Sequence, residues 1–338
     1  MAGIVTVLKP DHLGDLVLAA PAIRALQASG REVRLHVAPS SAGLARYLFG
    51  EIGRIRTIEF QHLSRKPVPP PDFTELIEDA RQSEILLCLR SDQVIERMLN
   101  DLRLDCIAPA RDPRIHETAS QKLLLEPIIG GYSRTQHFSG QPIGTGAERR
   151  HVALCISAGF PTNRWPNLHW LNLATLLGRK GIFITLVGGP SERNDLALLS
   201  RLLRTVPHRV LEGGSDFDRF LRALEEVDLV MASDSGTAHI CSLAKPICSL
   251  FGPSPWRRYA PFGRNNLLIT RDEVCSPCAQ FSSRIINGCA SRECMTAWNP
   301  ELVARFVLDL DPAPLIGSGL RVETGVSHMP LQSDGIGG

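Results

Sequence analysis

Residues 230–253, VMASDSGTAHICSLAKPICSLFGP, give the clearest indication of the fold. The apolar run at their start predicts a buried strand, Ser235, Gly236 and Thr237 predict a turn, and a helix is expected to begin near Thr237. A second apolar run, 247–251, predicts another strand. Strand, turn, helix and strand in this order are typical of a βαβ unit in a parallel sheet.

The turn in this segment is suited to binding an anion. Free backbone N–H groups and the positive end of a helix dipole meet at such a turn, and a pyrophosphate is the most natural ligand. Gly236 allows close approach to the backbone, and His239, in the first helical turn, is placed to donate a hydrogen bond. A structural alternative stays open, in which Asp234 or Ser235 caps the helix and His239 packs in the core.

The same alternation of apolar runs and amphipathic stretches extends on both sides of a loop at 130–146, GGYSRTQHFSGQPIGTG. Helices are expected from about 14 to 29, from 117 to 129 and from 300 to 310, and Pro21 is expected to kink the first or shift its start. Strands are predicted at 3–8, 32–38, 55–60, 85–90, 105–108, 151–157, 182–188, 209–211, 228–232 and 247–251.

These elements predict an α/β protein with two doubly wound, Rossmann-like domains that face each other across a cleft. Because open sheets of this type bind ligands beyond the carboxyl ends of their strands, we expect one site between the two halves. The predicted N-terminal domain is 1–145 and the C-terminal domain 146–310. Residues 311–338 are rich in Gly, Ser and Pro and are predicted to be a disordered tail.

The composition excludes several classes of protein. Of 338 residues, 43% are hydrophobic and 21% are charged, as in a globular chain. The 37 Lys and Arg nearly cancel the 35 Asp and Glu, and a net charge of +2 argues against a nucleic-acid partner. No run reaches the roughly 18 apolar residues of a transmembrane helix, and the N-terminus lacks the features of a signal peptide. We therefore expect a cytoplasmic protein.

Two loops after predicted strands of the second domain are further candidates for the site. In 158–166, AGFPTNRWP, Thr162, Asn163 and Arg164 offer donors, and the guanidinium of Arg164 suits a phosphate. A solvated surface loop is the alternative. The segment 187–192, VGGPSE, matches neither GxGxxG nor GxxxxGK[ST] and is interpreted as a plain βα turn.

The loop 9–15, KPDHLGD, follows the first predicted strand at the cleft edge of the first domain. Asp15 is a candidate general base, and Lys9 is a candidate contact for a phosphate or a sugar. The alternative is that Asp15 is a helix N-cap, and its position in the sequence does not separate the two roles.

Five segments together carry a family resemblance. They are LKPDHLGDLVLAAPAIRAL, AGFPTNRWPNLHWLNLATLL, LVGGPSERND, DLVMASDSGTAHICSLAKPICSLFGPSPWRRYAPFG and CMTAWNPELV. In this order and spacing, over about residues 3–310, the chain resembles glycosyltransferase family 9, the heptosyltransferases. The resemblance implies a GT-B fold, an ADP-heptose-like donor held mostly by the C-terminal domain, and an acceptor held by the N-terminal domain.

The resemblance also implies residue roles. The family's catalytic aspartate follows a glycine after the first strand, which implies that Asp15 deprotonates the acceptor hydroxyl. The family has a basic residue before a Trp-Pro pair, and this residue matches Arg164. The diphosphate-binding turn of the family, Asp-[ST]-Gly followed by His, matches the segment around Asp234 and His239. Together with the candidates above, the expected donor-binding residues are Lys9, Gly14, Thr162, Arg164, Asp234, Ser235, Gly236, Thr237 and His239.

The implied reaction is inverting transfer of a heptose-like sugar from an ADP-sugar to a lipid-linked or lipopolysaccharide-core saccharide. A peripheral contact with the inner face of the cytoplasmic membrane, through basic groups such as Arg149, Arg150, Arg257 and Arg258, is a further hypothesis. Two rivals stay open: a nucleotide-sugar epimerase of the same fold, and a non-catalytic, metal-bearing scaffold of a glycan-assembly complex. Residues 60–72 and 110–148 match no motif, so the acceptor is not identified.

The segment 216–218, Asp-Phe-Asp, has the DxD form by which another class of glycosyltransferase holds a divalent ion. It lies at the start of an amphipathic helix, so helix capping is the preferred interpretation. The charge of the leaving group would then be met by the turn at 234–237, Arg164 and Lys9, without a catalytic metal.

Four of the nine cysteines have the spacing C-x2-C-x10-C-x4-C. In a cytosolic protein this spacing first suggests a tetrahedral zinc or iron site, which would be structural because four thiolates leave no open coordination position. Free thiols or redox disulfides are the alternatives. The four are Cys275, Cys278, Cys289 and Cys294.

Overall fold

The computed structural model describes residues 3–50, 52–64, 66–110, 112, 114–130, 150–262, 266–271, 273–278, 289, 291–309 and 320–324. Within these ranges the chain forms two sheets, one in each half, with helices between the strands. The predicted arrangement of two Rossmann-like domains is therefore confirmed. In the described part of the chain, no helix is both long and apolar enough to cross a bilayer.

The N-terminal sheet has five strands: β1 (Ile4–Lys9), β2 (Glu32–Val37), β3 (Arg54–Thr57), β4 (Ile85–Cys88) and β5 (Cys106–Ile107). They are all parallel and lie in the order β3-β2-β1-β4-β5. The strand order reverses between β1 and β4, and the loops that follow these two strands therefore diverge. A doubly wound sheet binds ligands at this reversal.

The C-terminal sheet has seven strands: β6 (His151–Cys155), β7 (Phe183–Gly188), β8 (His208–Glu212), β9 (Leu229–Ser233), β10 (Ile247–Phe251), β11 (Asn266–Arg271) and β12 (Leu320–Thr324). Their order is β12-β11-β10-β9-β6-β7-β8, and only the pair β11 and β12 is antiparallel. Here the order reverses between β6 and β9. The two loops identified by their motifs, after β6 and after β9, therefore lie at this second reversal.

Helices cover the sheets because parallel strands bury side chains on both faces. They are α1 (Leu13–Ala28), α2 (Ala42–Phe49), α3 (Thr74–Gln82), α4 (Gln93–Asp101), α5 (Glu117–Ile129), α6 (Asn167–Gly178), α7 (Arg193–Leu202), α8 (Phe217–Arg222), α9 (Gly236–Cys241), α10 (Trp256–Tyr259), α11 (Glu293–Thr296) and α12 (Pro300–Asp309).

The structure reproduces every predicted strand and the three long predicted helices to within a few residues. Helix α1 starts one residue earlier than expected and runs through Pro21 without interruption. Helix α5 has the predicted bounds and ends at Gly130, whose φ of 66° is left-handed. The predicted loop at 130–146 lies outside the described residues except for Gly130.

Two strands at one end of the C-terminal sheet, β11 and β12, were not predicted. Strand β11 begins at Asn266, although its sequence, NLLITR, has a β-type composition. Residues 320–324 fall in the predicted disordered tail, but they form β12 and pair with β11 in register. An added edge strand satisfies backbone hydrogen bonds that β11 would otherwise leave open on that side, which local composition does not reveal. The structure corrects the tail prediction at these residues, and 325–338 are not described.

The two domains share one hydrophobic core cluster, which runs from the N-terminal sheet to the C-terminal one. Helix α1 packs on α9, and α2 packs on α8. At the second contact, a Cβ on Gly43 would lie 3.3 Å from the ring of Phe217. The domain boundary is therefore apolar and closely packed beside the cleft.

A polar contact joins the domains on the other side of α1. The guanidinium of Arg258 donates to the Glu117 carboxylate at 3.0 Å and 3.1 Å; Glu117 is buried and Arg258 is mostly buried. His116 Nε2 lies 3.0 Å from the Ala260 carbonyl oxygen. Arg258 thus pairs with Glu117 within the protein. Of the four arginines named for a membrane contact, Arg150 and Arg257 are exposed, and Arg149 lies outside the described residues.

Candidate active site

Asp15 lies in the first turn of α1, at the strand reversal of the N-terminal domain. The N-cap residue of this helix is His12, so the alternative role of Asp15 as N-cap is wrong. Burial and the negative charge of Asp11 together raise the pKa of Asp15 to about 7, against the opposing charges of Lys9 and Arg90. A carboxylate with a pKa near the working pH is suited to general base catalysis.

Lys9, at the end of β1, is only 1% exposed. Its ammonium donates to Asp11 Oδ2 at 2.5 Å and to the Leu89 carbonyl at 2.9 Å. Burial opposes the charge of Lys9, but Asp11 and Asp15 raise its pKa above the usual value. Lys9 therefore contacts the protein here, and its predicted contact with a phosphate or a sugar stays a prediction.

The turn after β9 leads directly into α9. Ser235 is the N-cap of this helix, because its hydroxyl accepts a hydrogen bond from the Ala238 amide at 3.1 Å. Of the two residues considered for this cap, Ser235 is the correct one. Gly236 and Thr237 are the first two residues of α9, and Gly236 faces the N-terminal domain.

Asp234 points away from the helix and into the loop after β6. Its Oδ2 accepts a hydrogen bond from Asn163 Nδ2 at 2.9 Å, and the same amide group lies 2.8 Å from Ser254 Oγ. The Gly159 amide donates to the Asp234 carbonyl at 2.9 Å. Burial raises the pKa of Asp234 to about 6, against the hydrogen bond from Ser254. Asn163 was predicted only as one of three donors in its loop and was not in the expected donor-binding set. Ser254 was not predicted, and only its place in the motif could have indicated it.

The side chain of Arg164 points in a different direction from that of Asn163. Its guanidinium lies 3.0 Å from Asp195 and 3.6 Å from Glu192, at the start of α7. The side chain is 39% exposed. Glu192 in turn accepts from Ser157 and from the Gly189 amide, both at 3.0 Å, as expected for a plain βα turn. The structure therefore places Asn163, and not Arg164, against Asp234.

Several buried polar atoms around the cleft have no hydrogen-bond partner among the described residues. A buried donor or acceptor without a partner costs about 1–3 kcal/mol, so these atoms are candidate contacts for a ligand or a bound water. Burial and the charge of His116 together lower the pKa of His239 to about 3, so its imidazole is neutral. The atoms concerned are Thr162 Oγ1, Asn163 Oδ1, Ser233 Oγ and His239 Nδ1.

The DxD segment forms the N-terminal end of α8. Asp216 is the N-cap, and its carboxylate accepts from the Arg219 amide at 3.0 Å. Asp218 pairs with Arg222 at 2.7 Å. The interpretation of this segment as a helix start is confirmed.

All four cysteines of the C-terminal motif are free thiols and range from the exposed Cys275 to the buried Cys294. Burial and the charges of Cys278, Cys275 and Cys289 together raise the pKa of Cys294 to about 12, so the four lie in one region. Among the described residues, no three His, Cys, Asp or Glu side chains are arranged to hold a metal ion.

Comparison with known proteins gives one family. Residues 124–287 match the model of glycosyltransferase family 9 (heptosyltransferase), and the resemblance inferred from the motifs is confirmed. Lipooligosaccharide heptosyltransferase 2 of Haemophilus ducreyi is 25% identical over 146 residues, which are 40% of this chain and 41% of that protein. The chain thus matches about two fifths of the length of this curated relative.

Two solved structures have the same fold at low identity. The ADP-heptose LPS heptosyltransferase II of E. coli has a TM-score of 0.63 and 16% identity, with 94% of this chain and 99% of that chain covered. The E. coli heptosyltransferase WaaC with ADP has a TM-score of 0.56 and 19% identity, with coverage of 78% and 92%. The predicted GT-B fold is therefore confirmed.

Proposed function

We propose that this chain is an inverting, metal-independent glycosyltransferase that transfers a heptose-like sugar from an ADP-sugar to a lipopolysaccharide-core or other lipid-linked saccharide. One observation carries the proposal. A carboxyl group with a pKa of about 7, Asp15, lies one residue after Gly14, which contacts Gly236 in the turn after β9. A candidate base and a candidate phosphate cradle are thereby brought to the same cleft.

The relatives support the choice of donor. One solved neighbour contains ADP, and another contains an ADP-2-deoxy-2-fluoro heptose. In this chain, the backbone amides of Gly236 and Thr237 and the neutral imidazole of His239 are the groups proposed to meet the diphosphate. Asp234 carries the same sign of charge as a phosphate, so we assign it to the sugar hydroxyls or to holding Asn163.

The proposed reaction is a single displacement. Asp15 accepts the proton of the acceptor hydroxyl while the oxygen of that hydroxyl bonds to the anomeric carbon. The bond from that carbon to the diphosphate breaks on the opposite face, which inverts the anomeric configuration. The electron pair leaves with ADP, whose developing charge is stabilised by the turn after β9.

We also propose that Cys275, Cys278, Cys289 and Cys294 hold one structural zinc or iron ion. Four thiols within 20 residues of sequence are a suitable donor set, and their proximity appears in the raised pKa of Cys294. The described arrangement does not bring three of them to a common centre, so binding would require this segment to close.

A direct assay tests the function. The protein is incubated with ADP-heptose and heptose-deficient lipopolysaccharide, with and without EDTA, and both ADP release and incorporated heptose are measured. We expect acceptor-dependent ADP release that EDTA leaves unchanged, and a product whose anomeric configuration is opposite to that of the donor. A new sugar formed from the donor alone would instead indicate an epimerase, and no conversion in either reaction would favour a non-catalytic scaffold.

A further inference from the structure

Asp11 is more buried and makes more polar contacts than its place in a loop would suggest. It lies between β1 and α1, four residues before Asp15, and its side chain is 1% exposed. One carboxylate oxygen contacts the Lys9 ammonium at 2.5 Å, and the other contacts Arg90 Nη1 at 2.5 Å. Its backbone carbonyl accepts from the Ser41 hydroxyl at 3.0 Å.

These contacts link the loop to three different strands. Lys9 is the last residue of β1, Arg90 follows β4, and Ser41 follows β2. The loop therefore cannot move without breaking a contact at the carboxyl end of each of these three strands. Helix α1 starts two residues after Asp11, so the anchored loop fixes the first turn of the helix that carries Asp15.

Arg90 extends the same network. Its Nε donates to Asp92 Oδ2 at 2.9 Å, and Asp92 is the N-cap of α4. The guanidinium is thus held from two sides while 32% of the side chain stays exposed. Two cations and one anion, Lys9, Arg90 and Asp11, lie close enough to Asp15 for their charges to act on it.

A contribution to the stability of the fold does not by itself explain why Asp11 is buried with two cations. A buried ion pair loses the hydration of both charges, and apolar side chains of similar size often stabilise a protein as well or better. A buried Asp with two cations is better explained by the need to hold neighbouring groups in one geometry. The neighbouring group with a chemical role is Asp15.

We propose that Asp11 is a positioning residue of the transfer reaction. Its contacts with Lys9, Arg90 and Ser41 fix the β1–α1 loop, and the fixed loop holds Asp15 in position at the cleft. This inference rests on the proposed function, in which Asp15 is the base. Asp11 itself touches neither substrate. The groups that face Asp15 electrostatically are Lys9, Asp11, Arg90, Glu117 and Tyr259.

Three variants distinguish an effect on the position of Asp15 from an effect of the charges that surround it. Asp11→Asn removes both ion pairs, Arg90→Gln removes one of them, and Ser41→Ala loosens the loop without changing any charge. In Asp11→Asn and Ser41→Ala we expect faster hydrogen exchange at the Leu16 amide, which bonds to the His12 carbonyl at 3.2 Å. We also expect kcat to fall, by about 100-fold in Asp11→Asn, with little change in the KM for ADP-heptose.

The ionisation of Asp15 gives a readout that a general loss of stability does not produce. It is followed in the resting protein by carboxyl carbon NMR, with Asp15→Asn to assign the signal. Because Asp11 raises the pKa of Asp15 and Arg90 lowers it, the titration midpoint should fall in Asp11→Asn and rise in Arg90→Gln. Ser41→Ala should leave the midpoint unchanged.

Asp79→Asn is the matched control. Asp79 is also fully buried in this domain and also pairs with arginines, Arg34 and Arg54, but Asp79 is not among the groups that act on Asp15. Midpoints that stay constant or move in the same direction in Asp11→Asn and Arg90→Gln would overturn the inference, as would unchanged exchange at Leu16. Exchange and titration need no substrate, so a failure of the positioning by Asp11 can be told apart from a failure of the proposed function, which the transfer assay tests.

Discussion

Gly14 and His239 are in contact across the domain boundary: a Cβ on residue 14 would lie 2.8 Å from Cδ2 of His239. The same Cβ would lie 3.3 Å from the Gly236 Cα atom. A side chain at position 14 would therefore push apart the two turns that carry Asp15 and the proposed diphosphate cradle. The glycine before the candidate base is required by its neighbour in the other domain.

Gly14→Ala should consequently impair activity more than folding. The buried imidazole of His239 has little room to move, so we expect the two turns to separate and kcat/KM to fall by about 100-fold. Steady-state kinetics and a melting curve measure the two effects. Gly214→Ala is the control, since a Cβ there meets nothing within 4 Å. Wild-type kinetics in Gly14→Ala would show that the close approach is not needed.

The pH dependence of turnover should follow Asp15. Its pKa of about 7 predicts that kcat rises about tenfold per pH unit below pH 7 and levels off above it. Asp15→Asn should abolish turnover and leave the binding of ADP intact, as measured by calorimetry. A variant that retains turnover would remove Asp15 from the role of base.

The same group should make stability pH-dependent. The pKa of Asp15 is raised in the folded protein, so the folded state binds more protons than the unfolded state between about pH 4 and pH 7. Its contribution to the free energy of unfolding therefore decreases as pH rises through this window. At pH 8 we expect Asp15→Asn to be more stable than wild type, on the order of 4 kcal/mol, and at pH 4 the difference should vanish. Urea unfolding at both pH values checks this, and a variant less stable at pH 8 would contradict it.

The ion pair of Arg258 with Glu117 should stabilise the contact between the domains. Arg258→Met leaves the buried Glu117 carboxylate without its partner, and we expect a loss of about 3–5 kcal/mol in the free energy of unfolding. Adding Glu117→Gln should restore much of it. The exposed neighbour Arg257, whose guanidinium lies 4.4 Å from the Trp256 ring centroid, is the control. Equal effects of Arg257→Met and Arg258→Met would contradict the assignment.

Asn163 should contribute more to donor binding than Arg164. Asn163→Ala removes a hydrogen bond to the Asp234 carboxylate, and such bonds to charged groups contribute about 1.5–3 kcal/mol. We therefore expect at least a tenfold higher Kd for ADP-heptose in Asn163→Ala. Arg164→Ala, which loses a partly exposed pair with Asp195, should change the Kd less. A larger increase in the Kd in Arg164→Ala than in Asn163→Ala would make Arg164 the main donor contact of the two.

If the four cysteines bind a metal, elemental analysis of protein purified without added metal should give about one zinc or iron per chain. Cys275→Ser combined with Cys278→Ser should remove it and lower the Tm, while ADP release stays within about twofold of wild type, because a closed thiolate site takes no part in the chemistry. Substitution of Cys106, which lies in the other domain, is the control. Metal-free protein with an unchanged Tm would leave free thiols as the correct interpretation.

The sequence predicts the parts of this molecule that depend on local patterns. The apolar runs locate the strands of both sheets, and the Asp-Ser-Gly-Thr turn locates the start of α9. The capping of α8 by Asp216 was also predicted, because capping needs only a few neighbouring residues.

Features that depend on distant contacts were not predicted. The motif pointed to Arg164, but adjacent residues of a loop point in different directions, and the direction of Asn163 depends on Asp234, which is 71 residues away. Lys9 appeared free to contact a ligand because its partners, Asp11 and the Leu89 carbonyl, meet it only in the folded sheet. The pairing of β12 with β11 likewise joins segments about 50 residues apart.

The hydrophobic cluster shared by the two sheets determines how the chain comes apart on heating. Val5 and Leu35 from one half and Phe217 and Val230 from the other are buried in the same cluster. If either half denatured alone, it would expose the surface that the other half covers. Calorimetry should therefore record one endotherm for the whole molecule, and either half expressed separately should aggregate.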